Sequence, residues 1–120
     1  VFVAGGIGIT PFMQALLHER SAENTWLIYA NRSHDTTVFA GTLSRTLGSH
    51  AIQVYSQEPA LLPGEQCGYI SEATLTDSLP NPTACTYFIC GPAAMMSHTT
   101  TVLHNLGVTS QQIHLEAFEF

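Results

Sequence analysis

Short apolar runs alternate with amphipathic stretches along all 120 residues, and the joins between them are short. Residues 1–4, 26–29, 51–56, 85–89 and 113–118 read as buried strands. Between them, residues 11–19 carry Phe12, Met13, Leu16 and Leu17 at helical spacing. Val38, Phe39, Leu43 and Leu47 mark a second helix, which Gly48 ends and Asp35 or a neighbouring threonine caps. A third spans residues 71–79 on Ala73, Leu75 and Leu79. Pro92 opens a fourth, with Met95, Met96, Val102, Leu103 and Leu106 before Gly107. Strands joined through helices run parallel, with crossovers packed on the sheet. The expected fold is therefore α/β, a doubly wound five-stranded parallel sheet with helices on both faces. Its first and fourth strands should be neighbours where the strand order reverses. Residues 31–35 read as a polar loop, and residues 57–68, with Pro59, Pro63 and Gly64, as a turn-rich connection.

The first strand feeds directly into Gly5-Gly6-Ile7-Gly8-Ile9-Thr10-Pro11. Glycines let a backbone approach an anion unobstructed, and a helix N-terminus offers free N–H groups and partial positive charge. Pro11 suits a first helical position, and Thr10 suits the N-cap. The segment reads as a phosphate cradle of restricted kind. A dinucleotide fingerprint counted from Gly6 and Gly8 requires glycine where Pro11 stands, and an acidic residue after the second strand. That strand runs out through Tyr29-Ala30-Asn31-Arg32 without a carboxylate. No Gly-Lys-Ser/Thr follows the glycines, which excludes a P-loop.

Charge narrows the partners. The formal net charge is −6, with only three Lys plus Arg. An acidic chain is a poor match for nucleic acid or an anionic membrane. The few cations gain weight beside a predicted phosphate site, although Arg32 also fits a solvated loop. Hydrophobic content of 45% is that of a globular core. No apolar run approaches the ~20 residues of a membrane helix. Cys67, Cys85 and Cys90 are odd in number and lack metal spacing, which fits reduced thiols and a cytoplasmic setting. His98 and His104 stand six apart, off a shared helix face, so no metal site is read.

Ligands of doubly wound sheets bind beyond the strands' carboxyl ends at the switch point. Residues 5–10, 31–33 and 90–93 converge there. In that order, Gly5-Gly6-Ile7-Gly8-Ile9-Thr10-Pro11-Phe12, Tyr29-Ala30-Asn31-Arg32-Ser33, Phe88-Ile89-Cys90-Gly91-Pro92 and Glu116-Ala117-Phe118 resemble the NAD(P)-binding domain of the ferredoxin-NADP reductase superfamily. The similarity runs over essentially the whole chain.

That resemblance implies a role for each matching position. Gly5, Gly6, Gly8, Ile9 and Thr10, with Pro11 completing the segment, surround the coenzyme pyrophosphate. Asn31, Arg32 and Ser33 lie at the adenosine ribose, with Ser56 and Gln57 near it. Cys90 flanks the nicotinamide C4, Gly91 allows close backbone approach, and Pro92 and Ala93 stand at the helix start. Glu116 matches an acidic residue near nicotinamide and flavin, and Phe118 an aromatic that packs at the flavin ring. It further implies a flavin-binding β-barrel domain, holding FAD or FMN, in the same polypeptide. Residues 1–120 are then one NAD(P)-binding domain cut from a longer protein. Hydride passes from NAD(P)H to the flavin, and electrons pass on to an iron–sulfur, haem or oxygenase partner. NADP-specific members carry arginine after the serine of the third strand. Ser56-Gln57 stands here, which favours NADH, while Arg32 argues partly the other way.

Plainer readings stand beside these roles. Cys90 equally suits a small core residue, since free cysteine is usually buried and inert. Met95 and Met96 read as core and interface filler. Glu116 alternates with apolar residues and suits a water-facing position, and Phe118 and Phe120 suit an ordinary strand or an apolar face covered by the flavin domain. A nucleotide-sensing module without redox chemistry is the rival function. A small α/β hydrolase or transferase lacks a nucleophile–base pair.

Overall fold

The computed structural model describes residues 1–18 and 22–116. Six parallel strands form one sheet: β1 (Phe2–Gly5), β2 (Leu27–Asn31), β3 (Ala51–Tyr55), β4 (Gln66–Cys67), β5 (Tyr87–Cys90) and β6 (Ile113–Leu115). Their order is β4-β3-β2-β1-β5-β6. β1 pairs with β2 on one side and with β5 on the other, so the order reverses at β1, as the alternation predicted.

Period-two alternation divides the core into two layers. Val3, Ile28, Val54 and Ile89 face one side and pack with Leu75 of helix α3 (Glu72–Ser78) and Leu103 of helix α4 (Ala93–Leu106). Ala4, Leu27, Tyr29 and Cys90 face the other. They pack with Leu16 of helix α1 (Met13–His18) and with Leu43 and Leu47 of helix α2 (Ala40–Leu47). Both faces are covered, which is why the central strands read as continuous apolar runs. Leu43 and Leu103 are fully buried. Truncating either to alanine costs about 2–5 kcal/mol.

Several expectations need correction. The sheet has six strands rather than five. Gln66 and Cys67 pair with Val54 and Tyr55 inside the stretch expected to be only turns. Two residues are too few to show an alternation. The glycine turn is itself a 3-10 helix over Gly6–Phe12, and α1 begins only at Met13. Pro11 lies inside that turn rather than at the first position of the α-helix, and the position before the turn is Gly5 rather than Thr10. Val38 and Phe39 lie outside α2 and are 41% and 49% exposed. Phe39 precedes that helix with left-handed φ 63° and no side-chain cap, so neither Asp35 nor a threonine caps it. Ser33 instead caps a separate 3-10 turn over His34–Thr36. α3 opens on a capping box that its apolar spacing did not announce: Ser71 Oγ accepts from the Thr74 N–H, and the Thr74 hydroxyl oxygen accepts from the Ser71 N–H. Gly107 closes α4 at φ 102°.

Candidate functional site

The turns that leave β1 to β5 meet along the carboxyl edge of the sheet and enclose a cleft of about 550 Å³. Gly5, Gly6 and Ile7 form one wall, with Pro92 and Met95 from the start of α4. Ala30, Asn31, Arg32 and Thr36 follow from the end of β2, Ser56 and Gln57 from β3, and Gly68 and Tyr69 from β4. The cleft sits where β2 and β5 diverge on either side of β1. Open α/β sheets place ligands at such a point.

Backbone packing shapes the β1–β5 end. A Cβ on Gly8 would run into the Cys90 carbonyl and lie 2.9 Å from Gly91 Cα. A Cβ on Gly5 would lie 2.8 Å from Met95 Cε and 3.3 Å from Pro92 Cδ. The two turns therefore interlock through glycine. Gly6, at φ 56°, adopts a conformation that side chains disfavour, and the space beside it is open. Tyr29 supports this turn from below. Its ring is fully buried, and its hydroxyl lies 3.2 Å from both the Gly6 and the Val38 carbonyl oxygens. α4 starts beside the cleft without a side-chain cap. Its leading N–H groups and its positive dipole end are thus free to meet an anion.

Side chains and loop hydrogen bonds shape the other end. The Ser56 N–H donates to the Asn31 carbonyl at 3.0 Å and the Gln57 N–H to the Arg32 carbonyl at 2.8 Å, extending the β2–β3 pairing past the strands. Asn31 Nδ2 is buried without a hydrogen-bond partner. Arg32 is exposed and joins no ion pair among the described residues. Arg32 is thus a cation left available at the cleft.

Of the residues singled out in the sequence, Gly5, Gly6, Asn31, Arg32, Ser56, Gln57 and Pro92 line the cleft together. The others among the described residues do not line it. Gly8 and Gly91 are buried between the interlocked turns. Ile9 is fully buried in the core beneath α1 and α2, so its side chain packs there rather than facing a ligand. Thr10, Pro11 and Ala93 are exposed, and Ser33 is occupied with the turn that follows it.

The Cys90 side chain is fully buried in the same core layer as Ala4 and Ile9. Burial, and then the negative charge of Glu116, push its thiol pKa up, so it stays a neutral thiol. Glu116 is exposed, and its N–H donates to the Ile89 carbonyl at 2.8 Å, beyond the end of β6. Phe118 and Phe120 lie outside the described residues.

Thr36, Gly68, Tyr69 and Met95 line the cleft without having been singled out as ligand contacts. Thr36 sits on a short turn bonded to Ser33, and Tyr69 follows Gly68, whose N–H donates to the Tyr55 carbonyl at 2.8 Å. Met95 carried only the signal of an apolar helix position, whereas it covers Gly5 and Gly91 at the cleft wall. Gly68-Tyr69 follows the two-residue strand that alternation could not reveal.

Residues 2–101 match the family model described as the oxidoreductase NAD-binding domain. Among curated proteins, a flavohemoprotein of Oceanobacillus iheyensis is 28% identical over 125 residues, covering 98% of this chain and 30% of that protein. The ferredoxin reductase component of a 3-ketosteroid-9-alpha-monooxygenase of Mycolicibacterium smegmatis is 31% identical, covering 99% of this chain and 33% of that one. Among solved structures, the flavohem-like FAD/NAD-binding domain of the nitric oxide dioxygenase of Vibrio cholerae superposes with a TM-score of 0.76 at 26% identity. That match covers 98% of this chain and 49% of the other. The chain spans 30–33% of the length of these two curated relatives.

Proposed function

Because this chain belongs to the oxidoreductase NAD-binding domain family, we propose that its cleft holds a nicotinamide dinucleotide and presents it to a flavin. The carrying observation is the meeting of Gly5, Gly6, Asn31, Arg32, Ser56, Gln57 and Pro92 in one cleft at the switch point. In this reading the pyrophosphate rests on the Gly5–Gly6 turn and faces the uncapped start of α4. The adenosine end lies along Arg32, Ser56 and Gln57. The nicotinamide lies toward Pro92 and Met95, at the wall where Gly91, lacking a side chain, lets the Gly5 turn and Met95 pack closely behind it. Cys90 serves there through its backbone and its packing, because its thiol faces the core.

When bound, the coenzyme supplies a hydride, so the protein's tasks are binding, orientation and exclusion of water rather than acid–base chemistry. The flavin, FAD or FMN, belongs to a separate flavin-binding domain in the same polypeptide. Glu116 and Phe118 stand on the segment assigned to its side of the site. The relatives named flavohemoprotein and monooxygenase reductase component support an onward transfer of electrons to a haem, iron–sulfur or oxygenase partner. With Gln57 where NADP-specific members place arginine, NADH is the favoured coenzyme.

The test is an anaerobic titration of the flavin-loaded full-length protein with NADH and NADPH, read as loss of the flavin's visible absorbance. Bleaching that is faster with NADH is the expected result. Coenzyme binding without any bleaching overturns the redox reading in favour of a sensing module. A strong NADPH preference overturns only the coenzyme assignment.

A further inference from the structure

One ionic cluster lies beside the cleft without lining it. His34 opens the 3-10 turn whose last residue, Thr36, lines the cleft. The His34 backbone N–H donates to Glu58 Oε2 at 2.7 Å, and ring Nδ1 lies 3.1 Å from that same oxygen. Ring Nε2 lies 2.7 Å from Glu65 Oε1. Both carboxylates are themselves held in place. Glu58 Oε1 accepts from the Ala60 N–H at 3.2 Å, and Glu65 Oε1 accepts from the Leu62 N–H at 2.7 Å. The Tyr55 ring meets the imidazole edge-on at 4.7 Å.

Position gives this cluster its meaning. Glu58 immediately follows the cleft residues Ser56 and Gln57. Glu65 precedes β4, which leads to the cleft residues Gly68 and Tyr69. His34 belongs to the loop that carries Arg32 and Thr36. One imidazole therefore joins the three segments that bound one end of the cleft.

We propose that His34 is a positioning residue, a latch that ties the loop after β2 to the β3–β4 connection and so holds the adenosine end of the cleft in its binding shape. This rests on the reading that the adenosine of a nicotinamide dinucleotide occupies that end.

The chemistry of the ring sets the conditions. Only the imidazolium has two N–H donors, which the two carboxylates require. The neutral ring donates to one and sets a lone pair against the other. The facing groups agree: the hydrogen bond to Glu65 raises the His34 pKa above its ordinary value against partial burial, and the charges of Glu58, Glu65 and Asp35 raise it further. Glu58 shifts the opposite way, mainly through its bond from the His34 N–H. A raised histidine pKa gives a latch fully present below the ordinary histidine value of 6.5 and lost as pH rises through the raised value. A lowered carboxylate pKa gives a contribution present above the ordinary value and lost as pH falls through the depressed one. The latch is closed between those limits.

The experiment measures dissociation constants of ADP-ribose and NAD⁺ by calorimetry at about pH 6 and about pH 9, a span in which neither the adenine nor the pyrophosphate titrates. The proteins are the full-length parent, His34→Gln and Glu65→Gln. The parent should bind roughly three- to fivefold more weakly at the higher pH. His34→Gln should bind weakly at both, with the pH slope gone, while near-native circular dichroism shows it folded. Glu65→Gln should shrink the slope. In flavin reduction, the His34 substitution should raise KM and leave kcat unchanged. A pH-independent parent, or a His34→Gln variant that keeps the parental slope, overturns the latch. A parent that binds neither ligand at any pH overturns the underlying coenzyme reading instead.

Discussion

The two ends of the cleft are held by different forces. At the β1–β5 end, two turns interlock through backbone, with Gly5, Gly8 and Gly91 placed where a Cβ would collide. At the β2–β4 end, the same cleft is bounded by exposed polar loops joined through a titratable imidazole and two carboxylates. The first end is held by close packing of backbone and of Met95, and no ion pair among the described residues takes part in it. The second can be tuned by charge and by pH.

The contrast is broken most directly at Gly8. Gly8→Ala places a methyl group against the Cys90 carbonyl and Gly91 Cα, backbone of a central strand and its turn that cannot move aside. We expect a loss of roughly 2–3 kcal/mol, read as a shifted midpoint in urea denaturation. A variant within about 0.5 kcal/mol of the parent shows the interlock to be loose. Tyr29→Phe tests the border between the two regions, since the hydroxyl ties Gly6 of the cradle to Val38 ahead of α2. The expected cost is about 1 kcal/mol, a fall of several degrees in Tm, with weaker coenzyme binding in proportion. Unchanged binding would separate the tie from the cradle's shape.

Arg32→Ala should have the smallest effect on folding. The side chain is exposed and pairs with nothing among the described residues, so Tm should hold. Coenzyme affinity should drop roughly three- to fivefold, more at low salt than at high. A fall in Tm instead would place Arg32 in the structure of the loop rather than in the tunable end.

How far the sequence reached follows the same division. The alternation of short apolar runs with amphipathic stretches, unaided, determined a parallel sheet with helices on both faces and the reversal of order at β1. It could do so because each strand's period and each helix's stripe are local, and chain connectivity leaves few ways to join them. The glycine-rich turn and the Gly107 stop of α4 were legible for the same reason: backbone freedom is set within a few residues. The cleft residues Gly5, Gly6, Asn31, Arg32 and Pro92 follow from their places at the ends of strands, whereas Ser56 and Gln57 were implied only by the family resemblance.

Only the tertiary structure decided the rest. A two-residue strand acquires its identity solely from its partner Val54-Tyr55. That Gly8 serves a strand-turn contact rather than an open cradle depends on Cys90 and Gly91, more than eighty residues away in the chain. The direction of the Cys90 thiol was open in the sequence, because a strand's last residue can turn to either face; packing beneath α1 and α2 closed it. The pairing of His34 with Glu58 and Glu65 joins residues that no local rule relates. Local physics chooses elements and their order, whereas the partners of a side chain are chosen by whatever the folded sheet brings within reach.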